Sequence, residues 1–270
     1  MGRIKKIYFT DLSANQTLSV TGSGCALNCR HCNKKFLKSM SGLNDKIKPG
    51  IKSILISGGC DKAGKGPLLG FAKKIKKLKN KYKINAHVGL VSQKEAEKIA
   101  LLVDVVSFDF VTEPKIIKKT YKLNKKIDDY YKSLAALQKE IRVFPHLTLG
   151  LWQGKISWEY QAVELLVKKF NFNNIVFNVF IPAPGTELEQ QKPPSIKSVE
   201  KYFYYLEKKY PKLDKRLGCM RSGGEYRNQV DKTAMLTGFK VITRPSKQTI
   251  KLAKKLNYQI FWHDQCCVFI

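Results

Sequence analysis

Cys25, Cys29 and Cys32 stand in the run Gly24-Cys25-Ala26-Leu27-Asn28-Cys29-Arg30-His31-Cys32. Three thiolates at C-x₃-C-x₂-C spacing can hold three irons of a cubane and leave the fourth open to a ligand. A zinc site built on C-x₂-C needs a second pair nearby, and the next cysteine, Cys60, stands alone. Three buried thiols or a zinc knuckle remain the plainer reading of the same residues. Other candidates for chemistry are Ser57-Gly58-Gly59-Cys60-Asp61, His87, Asp109, His146, and the tail cysteines Cys219, Cys266 and Cys267. Seven cysteines that cluster in the sequence point to metal or redox chemistry rather than disulfides.

These residues need elements to place them. Apolar segments predict strands at 17–21, 53–57, 84–90, 103–110, 143–149 and 175–181. Helical spacing predicts helices at 33–40, 68–82, 93–102, 127–140, 158–170 and 196–210. Residues 185–195 form a Pro-rich loop. The last 60 residues read as helix 227–236, strand 240–243, helix 247–256 and a final strand ending in Cys266-Cys267. Alternating strands and helices imply a parallel sheet, either curled into a barrel or doubly wound. The polar motifs fall at the C-terminal ends of strands, where α/β barrels build their sites, and this favours the barrel.

The triplet resembles the cluster motif of the radical S-adenosylmethionine (SAM) superfamily. That resemblance implies a 4Fe–4S cluster on Cys25, Cys29 and Cys32 whose open iron chelates SAM. It also implies one-electron cleavage of SAM and removal of a hydrogen atom from an unactivated carbon. The implied fold is a partial (β/α)6 TIM-type barrel over residues 1–195, with a small C-terminal α/β extension over residues 196–270. His31 takes the place of the family's usual aromatic residue. Ser57, Gly58, Gly59 and Asp61 match the turn that binds the amino group of SAM, with Cys60 where an acidic residue is usual. Thr148 and Gly150 match the strand that reads adenine and ribose. His87 and Asp109 are further candidates for contact with the cofactor, and His146 for contact with the substrate. The run from Ile181 to Glu187 resembles the Pro-Gly-Thr turn of biotin-synthase-like members.

The tail runs Gly218-Cys219-Met220-Arg221-Ser222-Gly223-Gly224-Glu225-Tyr226-Arg227 and ends near Cys266-Cys267. Together with Gly-Gly-Cys-Asp it resembles the archaeal-type two-component lipoyl synthases, which are biotin-synthase-like radical SAM proteins. The implied reaction is sulfur insertion into the octanoyl-lysine of a lipoyl-carrier protein. Cys60, Cys219, Cys266 and Cys267 are then candidate ligands of a second, auxiliary cluster, and Arg221 and Ser222 candidate substrate contacts. The implied partners are an acidic carrier domain, a paralogous radical SAM subunit, and an electron donor such as ferredoxin or flavodoxin. The chain departs from single-chain lipoyl synthases: it has no second Cys triplet upstream, and Arg221-Ser222 only echoes their Arg-Ser-Ser-Tyr ending. Three alternatives stand beside this reading. They are a biotin-synthase-like reaction on a small molecule, RNA methylthiolation, and a non-catalytic partner subunit.

Composition narrows the setting. The 270 residues carry a formal net charge of +29, from 50 Lys+Arg of which seven are Arg. Phosphate-gripping proteins use more Arg, and no interleaving of basic and aromatic residues is present, so nucleic acid is disfavoured. Lysine runs such as Lys73-Lys74-Ile75-Lys76-Lys77 read as solvated helix faces whose field also attracts acidic partners. No apolar run approaches the roughly 18 residues of a membrane span. The first eleven residues lack the apolar core of a leader peptide, so a cytoplasmic protein is expected.

Overall fold

Period-2 burial and 3.6-residue amphipathicity sort the chain into alternating strands and helices. The computed structural model describes residues 5–270. Residues 1–4, part of the stretch read for a leader, lie outside the described residues. Eleven strands occur among the described residues. They are β1 (Lys6–Thr10), β2 (Asn15–Ser19), β3 (Ser41–Gly42), β4 (Ser53–Ser57), β5 (Lys83–His87), β6 (Val105–Asp109), β7 (Val143–Leu149), β8 (Asn174–Val179), β9 (Asp214–Leu217), β10 (Val241–Thr243) and β11 (Gln259–His263). The α-helices are α1 (Lys35–Lys38), α2 (Ala72–Lys79), α3 (Gln93–Ala100), α4 (Ile127–Glu140), α5 (Trp158–Glu164), α6 (Ile196–Lys209), α7 (Gly224–Leu236) and α8 (Lys247–Lys255).

The chain divides into two compact units. The triplet unit comprises Ala14–His146 and Ala183–Gln190. Its strands run in the order β3-β2-β4-β5-β6, followed by the start of β7. All of these pair in parallel, with registers such as Ser19↔Ser57, His87↔Ser107 and Asp109↔His146. Parallel strands buried on both faces need apolar residues at nearly every position. Ile54, Ile56, Ile84, Ala86, Val106 and Phe144 are fully buried accordingly. Helix α3 starts at a capping box, in which Ser92 accepts from the Glu95 N–H and Glu95 accepts from the Ser92 N–H.

The tail unit comprises the described residues up to Ser13, with Leu147–Pro182 and Gln191–Ile270. Its strand order is β11-β1-β10-β9-β8, again parallel. Ile7, Phe9, Val176, Phe177 and Ile242 form its sheet core, against Tyr202, Phe203 and Leu206 of α6.

The six strands expected from sequence form as β2, β4, β5, β6, β7 and β8, and five more join them. Of the stretch expected as a C-terminal extension, 196–270, β9 pairs with β8 and β10 with β9 inside one unit. β1 escaped sequence reading because its charged start hid an alternation that buries Ile7 and Phe9. The helix expected at 33–40 shrinks to one turn, since Asn33 and Lys34 lie in the left-handed region (φ 39° and 63°). The basic helix expected at 68–82 opens as a 3₁₀ turn after Pro67 and becomes α only from Ala72. The last strand stops at His263, and Cys267 opens a 3₁₀ turn instead. Among the described residues no helix is long and apolar enough to cross a membrane.

Candidate active site

In the triplet unit every strand points its C-terminal end the same way, so the loops that follow β2, β4, β5 and β6 share one edge. β2 leads into the triplet loop. Val20 and Thr21 carry it past the end of β4: the Val20 N–H donates to Ser57 O at 2.8 Å, and the Gly59 N–H donates to Thr21 Oγ1 at 2.7 Å. The Ala26 N–H donates to Cys60 O at 2.8 Å, and the Cys25 thiol lies 3.8 Å from the same carbonyl. This backbone contact dictates glycine at 59. A Cβ there would fall 1.9 Å from Gly24 O and 2.5 Å from Cys25 Cα. The Gly-Gly turn, read from sequence as a SAM-binding turn, is also a seat for the cysteine loop, and the seat is made by shape.

The other side of the loop rests on the segment before α4. The Arg30 N–H donates to Thr120 O at 2.8 Å, and Cys29 Sγ reaches Tyr121 O at 3.5 Å. The His31 ring meets Tyr121 edge to face, 5.1 Å between centroids. Asn28, Asn33 and Lys34 take positive φ, which folds the loop back so that Asn33 N–H caps Cys29 O at 2.8 Å. Cys29 is buried, while Cys25 and Cys32 are half-buried. The Cys29 and Cys32 thiols hydrogen-bond to each other, which raises Cys29 and lowers Cys32 from ordinary thiol values. A low thiol supplies the thiolate that metal chemistry requires. Burial holds His31 down to about 4, so it is a neutral ring at pH 7, and its Nδ1 is buried without a partner.

The donor set fits an iron–sulfur cluster: three soft thiols on one folded loop at a strand-end edge. Among the described residues no three His, Cys, Asp or Glu side chains converge as they would around a single ion. A cubane differs from an ion in that its ligands hold separate corners.

A cavity of about 170 Å³ opens in this unit, lined by Ser57, Gly58, Cys60, His87, Asp109 and Tyr121 among others. His87 Nδ1 lies 3.7 Å from Asp109 Oδ2, and the His87 and His146 rings meet at 5.5 Å. His146 Nδ1 is fixed on Phe144 O at 2.9 Å. Burial, then the charge of His87, lowers His146 to about 4. Desolvation works to raise Asp109, but the hydrogen bond and charge of His87 outweigh it, with His146 and His31 adding to the pull, so the carboxyl stays below its ordinary value. Its side chain is 52% exposed and lines the cavity. The Cys60 thiol is pushed up to about 12 by burial and then by Cys25 and Asp109. It is a protonated thiol facing the same space.

The Asp61 Oδ1 accepts the Ala63 and Lys65 N–H groups of its own turn. Thr148 and Gly150 belong to the tail unit. Thr148 is half-buried near the end of β7, and the Gly150 N–H donates to buried Glu159 at 2.8 Å. Sequence reasoning missed Tyr121, Tyr130 and Glu187. Tyr121 was hidden in a segment without strand or helix periodicity, Tyr130 was read only as an apolar position of the helix at 127–140, and Glu187 lay in a loop read for its Pro and Gly.

The tail unit holds the other three cysteines. Cys219 follows β9, and Cys266 and Cys267 follow β11. The two adjacent thiols hydrogen-bond to each other, which holds Cys267 below and Cys266 above the ordinary value. Cys219 lies within electrostatic reach of Cys267, Arg221 and Arg244. Cys60 instead has the triplet thiols Cys25 and Cys32 as neighbours. Arg221 is wholly buried: Nε donates to Asp231 at 2.5 Å, Nη1 to Gly218 O, and Nη2 to Thr243 O and Arg244 O. Its fork is spent on tying the loop after β9 to the end of β10. Ser222, the neighbouring candidate, is half-buried.

No protein-family model and no curated protein matches the chain. Solved structures do. The fold resembles that of methylornithine synthase (PylB). The likeness has a TM-score of 0.62 at 13% identity and covers 95% of this chain and 84% of that one. A second likeness is to anSMEcpe, solved with bound AdoMet and the Cp18Cys peptide. Its TM-score is 0.53 at 13% identity, over 85% of this chain and 63% of the other. A third is to an HMG-CoA lyase from Acenitobacter baumannii in complex with coenzyme A and 3-methylmalate. Its TM-score is 0.56 at 10% identity, over 96% and 87%. Identities this low establish a shared α/β fold, and such a fold hosts more than one chemistry.

Proposed function

We propose that the protein is a radical SAM enzyme whose triplet unit binds a 4Fe–4S cluster and SAM. One observation carries this reading. Three cysteines at C-x₃-C-x₂-C spacing lie on a loop seated on Gly58-Gly59, in the unit whose strand-end cavity is lined by Cys60, His87 and Asp109. The likeness in fold to a protein solved with bound AdoMet supports it.

In this reading Cys25, Cys29 and Cys32 hold the cluster. With SAM bound, the cluster supplies the electron that cleaves the sulfonium and so the radical that abstracts hydrogen. The chain's own residues position and shield. Gly59 lets the turn after β4 approach the cysteine loop, and Ser57 and Gly58 line the cavity. Asp109, kept ionised by His87, attracts a cationic or hydroxyl-bearing ligand group. Phe108, Leu90 and Leu123 line the same cavity and exclude water, which protects a radical from quenching.

The finer proposal is sulfur insertion, as a lipoyl synthase component acting on octanoyl-lysine of an acidic carrier domain. The grouping of Cys219, Cys266 and Cys267 in one unit supports an auxiliary cluster there, and the +29 charge suits an acidic carrier and an acidic electron donor. A paralogous partner subunit and a cytoplasmic setting belong to the same proposal. A second reading, a small polar substrate, is supported by His87, Asp109 and Ser107, which stand in the cavity among an otherwise largely apolar lining.

Anaerobic reconstitution with iron and sulfide tests both levels, with Mössbauer spectra of three proteins: wild type, Cys25→Ala/Cys29→Ala/Cys32→Ala, and Cys219→Ala/Cys266→Ala/Cys267→Ala. The radical SAM reading expects SAM cleavage by the wild type and none by the first variant. A first variant that still cleaves SAM refutes it. If the second variant loses no iron relative to wild type, the auxiliary cluster is withdrawn, and sulfur insertion with it.

A further inference from the structure

The triplet unit contains one segment that arrives late in sequence, Ala183–Gln190. It lies directly on the cysteine loop. The Leu188 N–H donates to Arg30 O at 3.3 Å, and Asn33 Nδ2 donates to Gly185 O at 3.3 Å. The Lys35 ammonium lies against Gly185, which takes φ +71°. Thr186 is buried and turns the segment by donating from Oγ1 to Ala183 O at 2.7 Å. Glu189 Oε2 accepts from the Gly185 N–H at 2.5 Å. The segment is therefore ordered by its own bonds before it reaches the loop.

Glu187 is its point of engagement. Oε2 pairs with Arg30 Nε at 2.8 Å, and Oε1 pairs with Lys122. Arg30 stands between Cys29 and Cys32. Lys122 directly follows Tyr121, whose carbonyl receives the Cys29 thiol and whose ring supports His31. One carboxylate thus joins the two loops that hold the buried thiol between them. It also neutralises two cations, Arg30 within the cysteine loop and Lys122 next to the Tyr121 carbonyl that meets Cys29.

We infer that Glu187 is a positioning residue for the metal site: it locks the triplet loop to the Thr120–Lys122 segment and sets the charge the cluster feels. An exposed pair alone contributes little to stability. The consequence is therefore expected in the site's properties rather than in global stability. Two effects follow from its removal. The loop loses its outer brace, so iron leaves faster. Arg30 and Lys122 lose their counter-charge, and uncompensated cations favour the more negative, reduced cluster, so the potential rises.

The inference rests on the cluster reading above, and the test separates the two. Wild type, Glu187→Gln, Glu187→Asp and Lys122→Gln are reconstituted anaerobically. Three quantities are read: melting temperature of the apo protein, rate of iron release to a chelator, and midpoint potential from an EPR-monitored redox titration. Glu187→Gln is expected to melt like wild type, to release iron several-fold faster, and to favour reduction about tenfold, which is about 59 mV for one electron. Glu187→Asp restores both site properties in part. Lys122→Gln speeds iron release but, with one cation fewer, leaves the potential at or below the wild-type value. A loaded wild type whose Glu187→Gln variant shows unchanged release and potential overturns the inference alone. A wild type that takes up no cluster overturns the cluster reading and this inference together. A Glu187→Gln apo protein that melts far below wild type also overturns it, because the residue would then serve general stability.

Discussion

Gly59→Ala isolates the steric logic of the site. The new methyl carbon would stand 1.9 Å from Gly24 O and 2.5 Å from both Cα and Cβ of Cys25, where ordinary contact begins at 3.4 Å. The obstructing atoms are mostly backbone, so no rotamer change relieves the clash. The triplet loop must lift off the turn, breaking the Ala26 N–H to Cys60 O and Gly59 N–H to Thr21 Oγ1 bonds that seat it. Overpacking of this kind costs about 1–3 kcal/mol, or roughly 2–10 °C in melting temperature for a chain of this size. The displaced residue is a cysteine of the triplet, so iron retention falls further than stability does. Gly70→Ala is the matched control, because a Cβ there meets nothing within 4 Å. Gly58→Ala is intermediate, since its nearest obstacle at 2.8 Å is the Val20 side chain. The assay is apo melting temperature together with iron per chain after anaerobic reconstitution. A Gly59→Ala protein that matches Gly70→Ala in both would refute the claim that the turn is the seat of the cysteine loop.

Arg221→Met strands a buried Asp231 carboxylate and should cost about 3–5 kcal/mol in denaturant unfolding, while Arg221→Met/Asp231→Leu recovers much of that loss. A single variant as stable as wild type would show the pair to be unimportant. Burial raises Glu159 to about 7 against the Gly150 and Ser157 N–H groups that favour its ionised form. The folded state therefore holds this proton more tightly than the unfolded state. The contribution is complete below pH 4.5 and is lost as pH rises through 7. Wild type should thus lose stability relative to Glu159→Gln between those values, and parallel stability curves for the two proteins would contradict the assignment. Asp109→Asn removes the charge that faces the cavity and should weaken SAM binding about tenfold in equilibrium dialysis, as for a hydrogen bond to a charged group. Unchanged binding would place SAM away from Asp109.

Much of this site was legible because its chemistry sits in short motifs. The spacing of Cys25, Cys29 and Cys32 announced the thiol loop, and glycines 58 and 59 marked a turn of close approach, though what approaches it is the loop itself. His87, Asp109 and His146 could be brought together from strand ends alone, since parallel strands in register align their termini. What stayed hidden depends on tertiary contact. Glu187 is an ordinary surface glutamate until Arg30 and Lys122 are placed around it. Asp61 fits a ligand role by position, yet its carboxylate serves its own turn. Arg221 looked like a substrate contact in a Gly-rich loop, whereas burial commits its whole fork to Asp231 and three carbonyls. β1 was overlooked because propensity weighs its lysines, while packing weighs Ile7 and Phe9.

The position of β1 between β10 and β11 governs how this chain can fold on the ribosome. Its register partners, Val241–Thr243 and Gln259–His263, lie more than 200 residues downstream, so β1 must wait for that length of chain to be made before it can pair. Such distant parallel pairing is slow and leaves apolar strand edges open in the meantime. During that interval the nascent chain exposes Ile7 and Phe9, and a net charge of +29 is a direct means of keeping copies apart while they wait. The lysines read as a lure for partners would then also guard against premature association until β10 and β11 flank β1.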